Sequence, residues 1–245
     1  VSEGAHKFLS AAGIRVRNAL FRNYSRRGAK RYEARRQSVR WAAEASVFNE
    51  IYRRIDPKRV LDLPVGTGRF FEAYVGNGAE VVGVDISQNM LEEAAAKMPR
   101  GARVELRRAD VLTLRHSSEL GTGYDLIVCM RFIYWLRPHE LAIMLQAFKA
   151  TGAPLIVAST KVALEQRGPI FSGGFTRSLG RLRAHLYRSV IKRVYSEEKL
   201  LRIFSEHGWV VAERHPLVTT RSVRYLCFLL ESSVPAGARS SQTSR

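Results

Sequence analysis

Cysteine is nearly absent from this chain: only Cys129 and Cys227 occur in 245 residues, each inside an apolar run. Their spacing matches no zinc or redox pattern, so both read as small buried hydrophobes. The six histidines are scattered, with none at metal-binding spacing from another ligand, and no metal site is expected. Long hydrophobic runs are missing as well. None reaches the roughly 18 residues that a membrane span needs. The basic N-terminus is not followed by a secretory apolar stretch and a small-residue cleavage site. A soluble, cytoplasmic protein is the default expectation, and no internal repeat is found.

Acidic residues are also scarce, with 22 Asp and Glu against 40 Lys and Arg and a formal net charge of +18. Such a field attracts anions, whether nucleic acid, acidic lipid or a phosphorylated substrate, without choosing among them. A solvated basic surface is the ordinary alternative. The basic residues cluster. Ten of them, from Arg15 to Arg40, are opposed only by Glu33, and no acid lies between Glu165 and Glu197. The tail from Ser232 is rich in Ser, Ala and Gly and reads as disordered.

Between these zones strand and helix patterns alternate. Arg59–Leu63, Glu80–Val84, Arg103–Leu106, Leu126–Met130 and Pro154–Ala158 read as strands. The last two are continuous apolar runs, as expected of strands buried on both faces. Helical patterns fall at Phe70–Val75, Ser87–Lys97 and Pro138–Ala150, the second with Ser87 as its N-cap. This alternation predicts a mostly parallel sheet with helices on both faces. The end differs: a helix over Ser196–His207, capped by Ser196 and stopped by Gly208, precedes two strands at Trp209–Glu213 and Val223–Leu230. Those two read as an antiparallel pair closing the sheet.

The chemistry centres on Val60-Leu61-Asp62-Leu63-Pro64-Val65-Gly66-Thr67-Gly68-Arg69-Phe70, where a strand runs through a tight turn into a helix. In doubly wound sheets ligands bind outside the carboxyl ends of the strands. Gly66 and Gly68 let the backbone turn sharply and approach a ligand. A P-loop would need Gly-Lys-Ser/Thr, but Gly68 is followed by Arg69 and Phe70. A dinucleotide loop would need a third glycine, and that position is Phe71. S-adenosylmethionine remains as a candidate, since it has no phosphate and needs only close backbone approach with polar anchors.

At this point the chain resembles the class I S-adenosylmethionine-dependent methyltransferases. Asp62–Gly68 is similar to that family's Asp/Glu-x-Gly-x-Gly-x-Gly loop, with Pro64 in place of the first glycine. Pro fixes φ and has no N–H, so any contact there uses its carbonyl or ring. Val81–Val84, Asp85, and Ile86 through Leu91 resemble the family's Val-Gly-Val-Asp-x-Ser-x-x-Met-Leu segment. The resemblance implies an α/β fold: a doubly wound, mostly parallel seven-stranded sheet with an antiparallel last strand, N-terminal helices, and a helical insertion after the fifth strand. It implies that Asp62, Leu63, Pro64, Gly66, Thr67 and Gly68 form the cofactor loop. Asp85 would take the ribose hydroxyls, with Ile86 and Met90 beside it. Asp110 would accept from the adenine amino group, with the Val111 N–H reaching the ring. Met130 and Arg131 would lie beside the methionine part. Asp125 would support the fold.

The expected organisation is a basic helical extension at 1–40, a methyltransferase domain at 41–231 with a basic insertion and acceptor cap at 161–195, and a disordered tail at 232–245. Methyl transfer would leave S-adenosylhomocysteine. Arg131, Tyr134 and His139 are weak catalytic candidates, and Tyr134 with Trp135 would pack as readily as line a site. Tyr32, Arg36 and Trp41 are candidates for a lid. The charge of the two added segments points to an anionic acceptor, a small molecule or glycolipid precursor. RNA or an anionic membrane surface is the alternative partner, the latter with peripheral attachment. An RNA amino-group enzyme of the common type would carry Asn/Asp-Pro-Pro-aromatic where Cys129-Met130-Arg131-Phe132 stands. A non-catalytic binding module on the same fold is the alternative of another class.

Overall fold

The computed structural model describes residues 39–113, 120–164 and 194–233. The expectations for Tyr32 and Arg36, for most of the 161–195 insertion and for the tail from 234 onward lie outside the described residues. Seven strands form one sheet in the order β3-β2-β1-β4-β5-β7-β6. Strands β1 (Arg59–Asp62), β2 (Glu80–Asp85), β3 (Arg103–Arg108) and β4 (Leu126–Met130) pair in parallel. Strand β7 (Val223–Ser232) runs antiparallel to both β5 (Leu155–Ala163) and β6 (Trp209–Thr219). The mostly parallel sheet with an antiparallel last strand is therefore as expected. The chain divides into two compact units, Val1–Arg115 with Tyr124–Val128, and His116–Gly123 with Cys129–Arg245.

In the first unit, helix α1 (Val39–Ile55) precedes β1. One face of α1 carries Trp41, Phe48, Ile51 and Tyr52, all buried. This aromatic face packs on the short helix α2 (Phe71–Gly76) and its approach. The Phe48 and Phe70 rings lie 3.9 Å apart, and Tyr52 and Tyr74 5.4 Å. Burying rings of this size is the largest local source of stability, and truncating a fully buried Phe costs roughly 3–5 kcal/mol. Helix α3 (Gln88–Ala96) starts where expected, with Ser87 Oγ accepting from Met90 N–H. In β2, Gly83 is required by close packing: a Cβ there would meet Val65 Cγ2 at 2.9 Å. Asp125 supports the fold, its Oδ2 accepting from the Lys58 and Arg59 N–H groups at 2.8 and 2.9 Å.

In the second unit, a 3-10 turn (Ile133–Trp135) leads into α4 (Pro138–Ala150). Pro138 opens this helix where a missing N–H costs nothing, and Glu140 Oε2 accepts from Arg137 N–H at 2.7 Å. Helix α5 (Glu197–Glu206) is capped by Ser196 as expected. Lys149 ends as a half-buried peg. Its Nζ donates to Gly208 O at 2.8 Å and Ser232 Oγ at 2.6 Å, and lies 5.2 Å from the centre of the Trp209 ring. Desolvation lowers its pKa. Strand β6 runs six residues beyond the expected end at Glu213, to Thr219. Pro216 and the polar run Glu213–His215 obscure it in the sequence. It pairs on one side only and slips register at Val211/Glu213 and Pro216/Val218. An edge strand with such bulges accommodates proline. Cys129 and Cys227 are buried free thiols, as expected.

Candidate active site

Strand β1 ends at Asp62, and the chain then passes through the cis Leu63–Pro64 bond into the glycine turn. The Leu63 N–H is engaged by Val128 O at 2.9 Å, so a ligand contact from Leu63 is left to its carbonyl. Val65 N–H bonds Val84 O at 2.9 Å, which ties the turn to the end of β2. Gly66 and Gly68 both have positive φ, +58° and +70°, conformations that side chains disfavour. Their surroundings differ. A Cβ on Gly66 would meet nothing within 4 Å, whereas one on Gly68 would strike the Phe71 ring at 2.3 Å. Gly66 thus has open space over it, and Gly68 is needed for packing. Thr67 between them is buried.

Asp85 at the end of β2 meets this turn directly. Its Oδ2 accepts from Gly66 N–H at 3.0 Å and its Oδ1 from Ser87 N–H at 2.8 Å. Burial pushes its pKa up to about 6, against the pull of the Ser87, Gly66 and Ile86 N–H groups. Asp62 lies in the same cluster. It is buried, and its Oδ2 accepts from Tyr74 OH at 2.9 Å. Burial raises its pKa to about 8, the Tyr74 bond and Arg69 hold it down, and Asp85 pushes it further up. Asp110 stands two residues beyond β3, whose last pair with β2 is Arg108 opposite Asp85. The Ala109 N–H bonds Asp85 O at 3.1 Å, bringing the two acid-bearing loops side by side. Asp110 Oδ1 accepts from Leu112 N–H at 3.1 Å, forming a turn. Met90 and Val111 are buried and Ile86 is half-buried.

The structure thus brings Gly66, Asp85 and Asp110 together, with Asp62 behind them. Met130 and Arg131 end β4 in the second unit. Arg131 takes φ +62°, rare for a residue with a side chain, and its N–H bonds Ser159 O at 3.0 Å. Tyr134 is half-buried, with Lys161 Nζ 5.3 Å from its ring centre. His139 is exposed on the first turn of α4. Among the described residues no cluster of His, Cys, Asp and Glu suits a metal ion, and no helix is long and apolar enough to cross a membrane.

Comparison with known proteins agrees with this geometry. Residues 60–154 match a family described as "Methyltransferase domain". This segment is a class I S-adenosylmethionine-dependent methyltransferase domain. Over 87 residues the chain is 32% identical to the ubiquinone biosynthesis O-methyltransferase of Bordetella avium (strain 197N), a stretch covering 35% of each. The chain therefore spans about a third of that relative's length. In fold it is similar to magnesium protoporphyrin IX methyltransferase of Synechocystis PCC 6803 solved with bound S-adenosylhomocysteine, at TM-score 0.55 and 17% identity, over 79% of this chain and 83% of the other. It is equally similar to the [4+2]-cyclase SpnF, at TM-score 0.56 and 12% identity, over 76% and 82%. The methyltransferase domain thus shares its fold with a protein named for a different reaction, so the reaction must be argued from the site.

Several residues of this domain carry weight that the sequence did not reveal. Arg69 served there only to exclude a P-loop. In the structure its guanidinium donates to the Glu44 carboxylate and, at 2.6 Å, to Trp41 O, and it stacks 4.2 Å from the Trp41 ring centre. Tyr74, read as ordinary helix core, donates to Asp62. The signal that was available was Arg at the position after the second glycine, with a Trp and a Glu one helical turn apart upstream.

Proposed function

We propose that the protein transfers a methyl group from S-adenosylmethionine to an anionic acceptor, a small molecule or glycolipid precursor. The observation that carries this reading is the Asp85 carboxylate held at the open Gly66 turn by two backbone N–H groups. Each oxygen keeps a lone pair for a ribose hydroxyl, and Gly66 allows close approach. Asp110 would accept from an adenine amino group, with the Val111 N–H reaching the ring. Pro64, with no N–H, would offer its carbonyl or ring alone.

When bound, the cofactor supplies an activated methyl on a positively charged sulfur. The protein's part is then largely orientation of an in-line displacement. An oxygen or nitrogen acceptor also needs a group to take its proton. Arg131, held with a left-handed backbone, and Lys161 beside Tyr134 supply positive charge in the second unit. That favours an acceptor carrying a carboxylate or phosphate. The name of the Bordetella avium relative adds support for an oxygen acceptor. Arg131 and Tyr134 are retained as acceptor-side residues. His139, exposed and at a helix start, is the weakest candidate.

Calorimetry with S-adenosylmethionine tests the reading. Saturable binding to the wild type and its loss in Asp85→Ala are expected. No heat at high cofactor concentration, with Asp85→Ala indistinguishable, would leave a binding module on this fold as the better account. Purified protein free of nucleic acid is expected. RNA that co-purifies at low salt and leaves at high salt would favour an RNA acceptor instead.

A further inference from the structure

We propose that Arg69 is a positioning residue for the cofactor: anchored on helix α1 through Glu44 and Trp41, it holds the glycine turn in its binding conformation. This rests on the reading of that turn as the S-adenosylmethionine site. The start of the turn is tied to its neighbours by Leu63 N–H to Val128 O, Val65 N–H to Val84 O and Gly66 N–H to Asp85 Oδ2, and its second half leads into α2. Helix α2, which follows it, has no side-chain cap at Phe70. The turn's own backbone bonds are Gly68 N–H to Val65 O at 3.1 Å and Phe71 N–H to Gly68 O at 3.4 Å, the latter long for such a bond. Two of its residues are glycines in left-handed conformations, which lose the most entropy on ordering. The second half of such a turn is steadied by a further external anchor.

Arg69 supplies one. Its guanidinium is gripped on several sides: by the Glu44 carboxylate, by Trp41 O, and by the faces of Trp41 and Phe70 at 4.2 and 4.8 Å. Glu44 and Arg69 are both largely buried, with side chains 3% and 13% exposed. Removing one partner of a charge pair this shielded leaves the other charge buried and unpaired, unlike at a surface pair. The fork shape of arginine is what permits one side chain to bond a carboxylate and a carbonyl while stacking on two rings. Arg69 also sits close enough to Asp62 to favour its ionised form. Helix α1 is itself fixed independently, by Phe48 and Tyr52 against Phe70 and Tyr74 and by Tyr52 OH donating to Asn77 Oδ1 at 2.8 Å. The helix is the rigid wall, and the arginine ties the turn to it.

The experiment measures the dissociation constant of the full chain for S-adenosylmethionine by calorimetry, with the melting temperature of each variant recorded in parallel. The variants are Glu44→Gln, Arg69→Lys, Arg69→Met, and Glu50→Gln as a control at an exposed position of the same helix. Wild type and Glu50→Gln are expected to bind alike. Glu44→Gln and Arg69→Met are expected to bind at least about tenfold more weakly at a temperature where they remain folded. Arg69→Lys, which keeps the charge but loses the fork and stack, should fall between. In turnover assays the loss should appear in the KM for the cofactor with kcat nearly unchanged. If Arg69→Met does not fold, Glu44→Gln and Arg69→Lys carry the comparison. Variants that lower the melting temperature while binding like wild type overturn the proposal. A wild type that does not bind overturns the reading of the site itself, a separate outcome.

Discussion

At the scale of single residues, the two buried aspartates make opposite demands on pH. In the proposed role Asp85 is ionised when it accepts the two ribose hydroxyls, and burial holds its pKa at about 6. Cofactor affinity should therefore weaken as pH falls through that value, and calorimetry at a series of pH values checks this. Asp85→Asn should remove the pH dependence along with most of the affinity. In the cofactor-free protein Asp85 and Asp62, the latter raised to about 8, both act on stability. A group whose pKa is higher in the fold than in the unfolded chain, where Asp titrates near 3.9, favours folding at low pH. That advantage is lost as pH rises through the folded value. The cofactor-free protein should melt at progressively lower temperature between about pH 4 and pH 8. Asp62→Asn, which can still accept from Tyr74, should flatten that slope and melt higher than wild type at alkaline pH. Arg131 offers a third test. Its φ of +62° suits glycine, so Arg131→Gly should keep or slightly raise thermal stability while weakening the acceptor, seen as a raised acceptor KM.

At the scale of elements, the sequence was most legible where local chemistry and tertiary packing agree. Helix α4 runs from Pro138 to Ala150 as read, because proline at its first turn and a polar stop leave no other choice. Ser87 and Ser196 cap α3 and α5 as read, since a hydroxyl before an acidic or amide-rich turn has one good use. Replacing Ser196 with Ala should cost about 1 kcal/mol, measured by denaturant unfolding. The glycine turn was legible because Gly66, Gly68 and Asp85 sit at fixed offsets from two apolar strands. What failed to show was whatever depends on distant partners. Strand β6 carries a proline and a polar triplet that only an edge position with bulges tolerates. Arg69 looks like a solvated basic residue until Glu44, twenty-five positions earlier, is folded against it. Tyr74 likewise gives no hint in its own neighbourhood that Asp62 awaits its hydroxyl. Phe48→Ala should lower stability by roughly 3–5 kcal/mol, because that ring joins α1 to both Phe70 and Tyr74.

At the scale of the whole molecule, the methyltransferase fold and the charge answer different questions. Asp85 and Asp110 lie at and just beyond the carboxyl ends of β2 and β3, the end of the strands where doubly wound sheets bind ligands. The charge of +18 bears on what is methylated, through the attraction of anions. An anionic acceptor bound in this field should show a KM that rises with ionic strength, while the cofactor's KM, set by buried hydrogen bonds, should change little. Steady-state assays at two salt concentrations with both substrates varied would reveal the contrast.

The position of β7 between β5 and β6 has a consequence for synthesis. The strand that joins those two is the last of the three to leave the ribosome. Until Val223–Ser232 has emerged, the backbone of β5 presents an unpaired edge along nine residues, Leu155–Ala163, a template for wrong pairing. Nascent chains arrested before Val223 should be open to protease within that segment, and chains arrested beyond Ser232 with the exit tunnel cleared should be resistant. The second unit should therefore acquire its fold in one step that waits for β7.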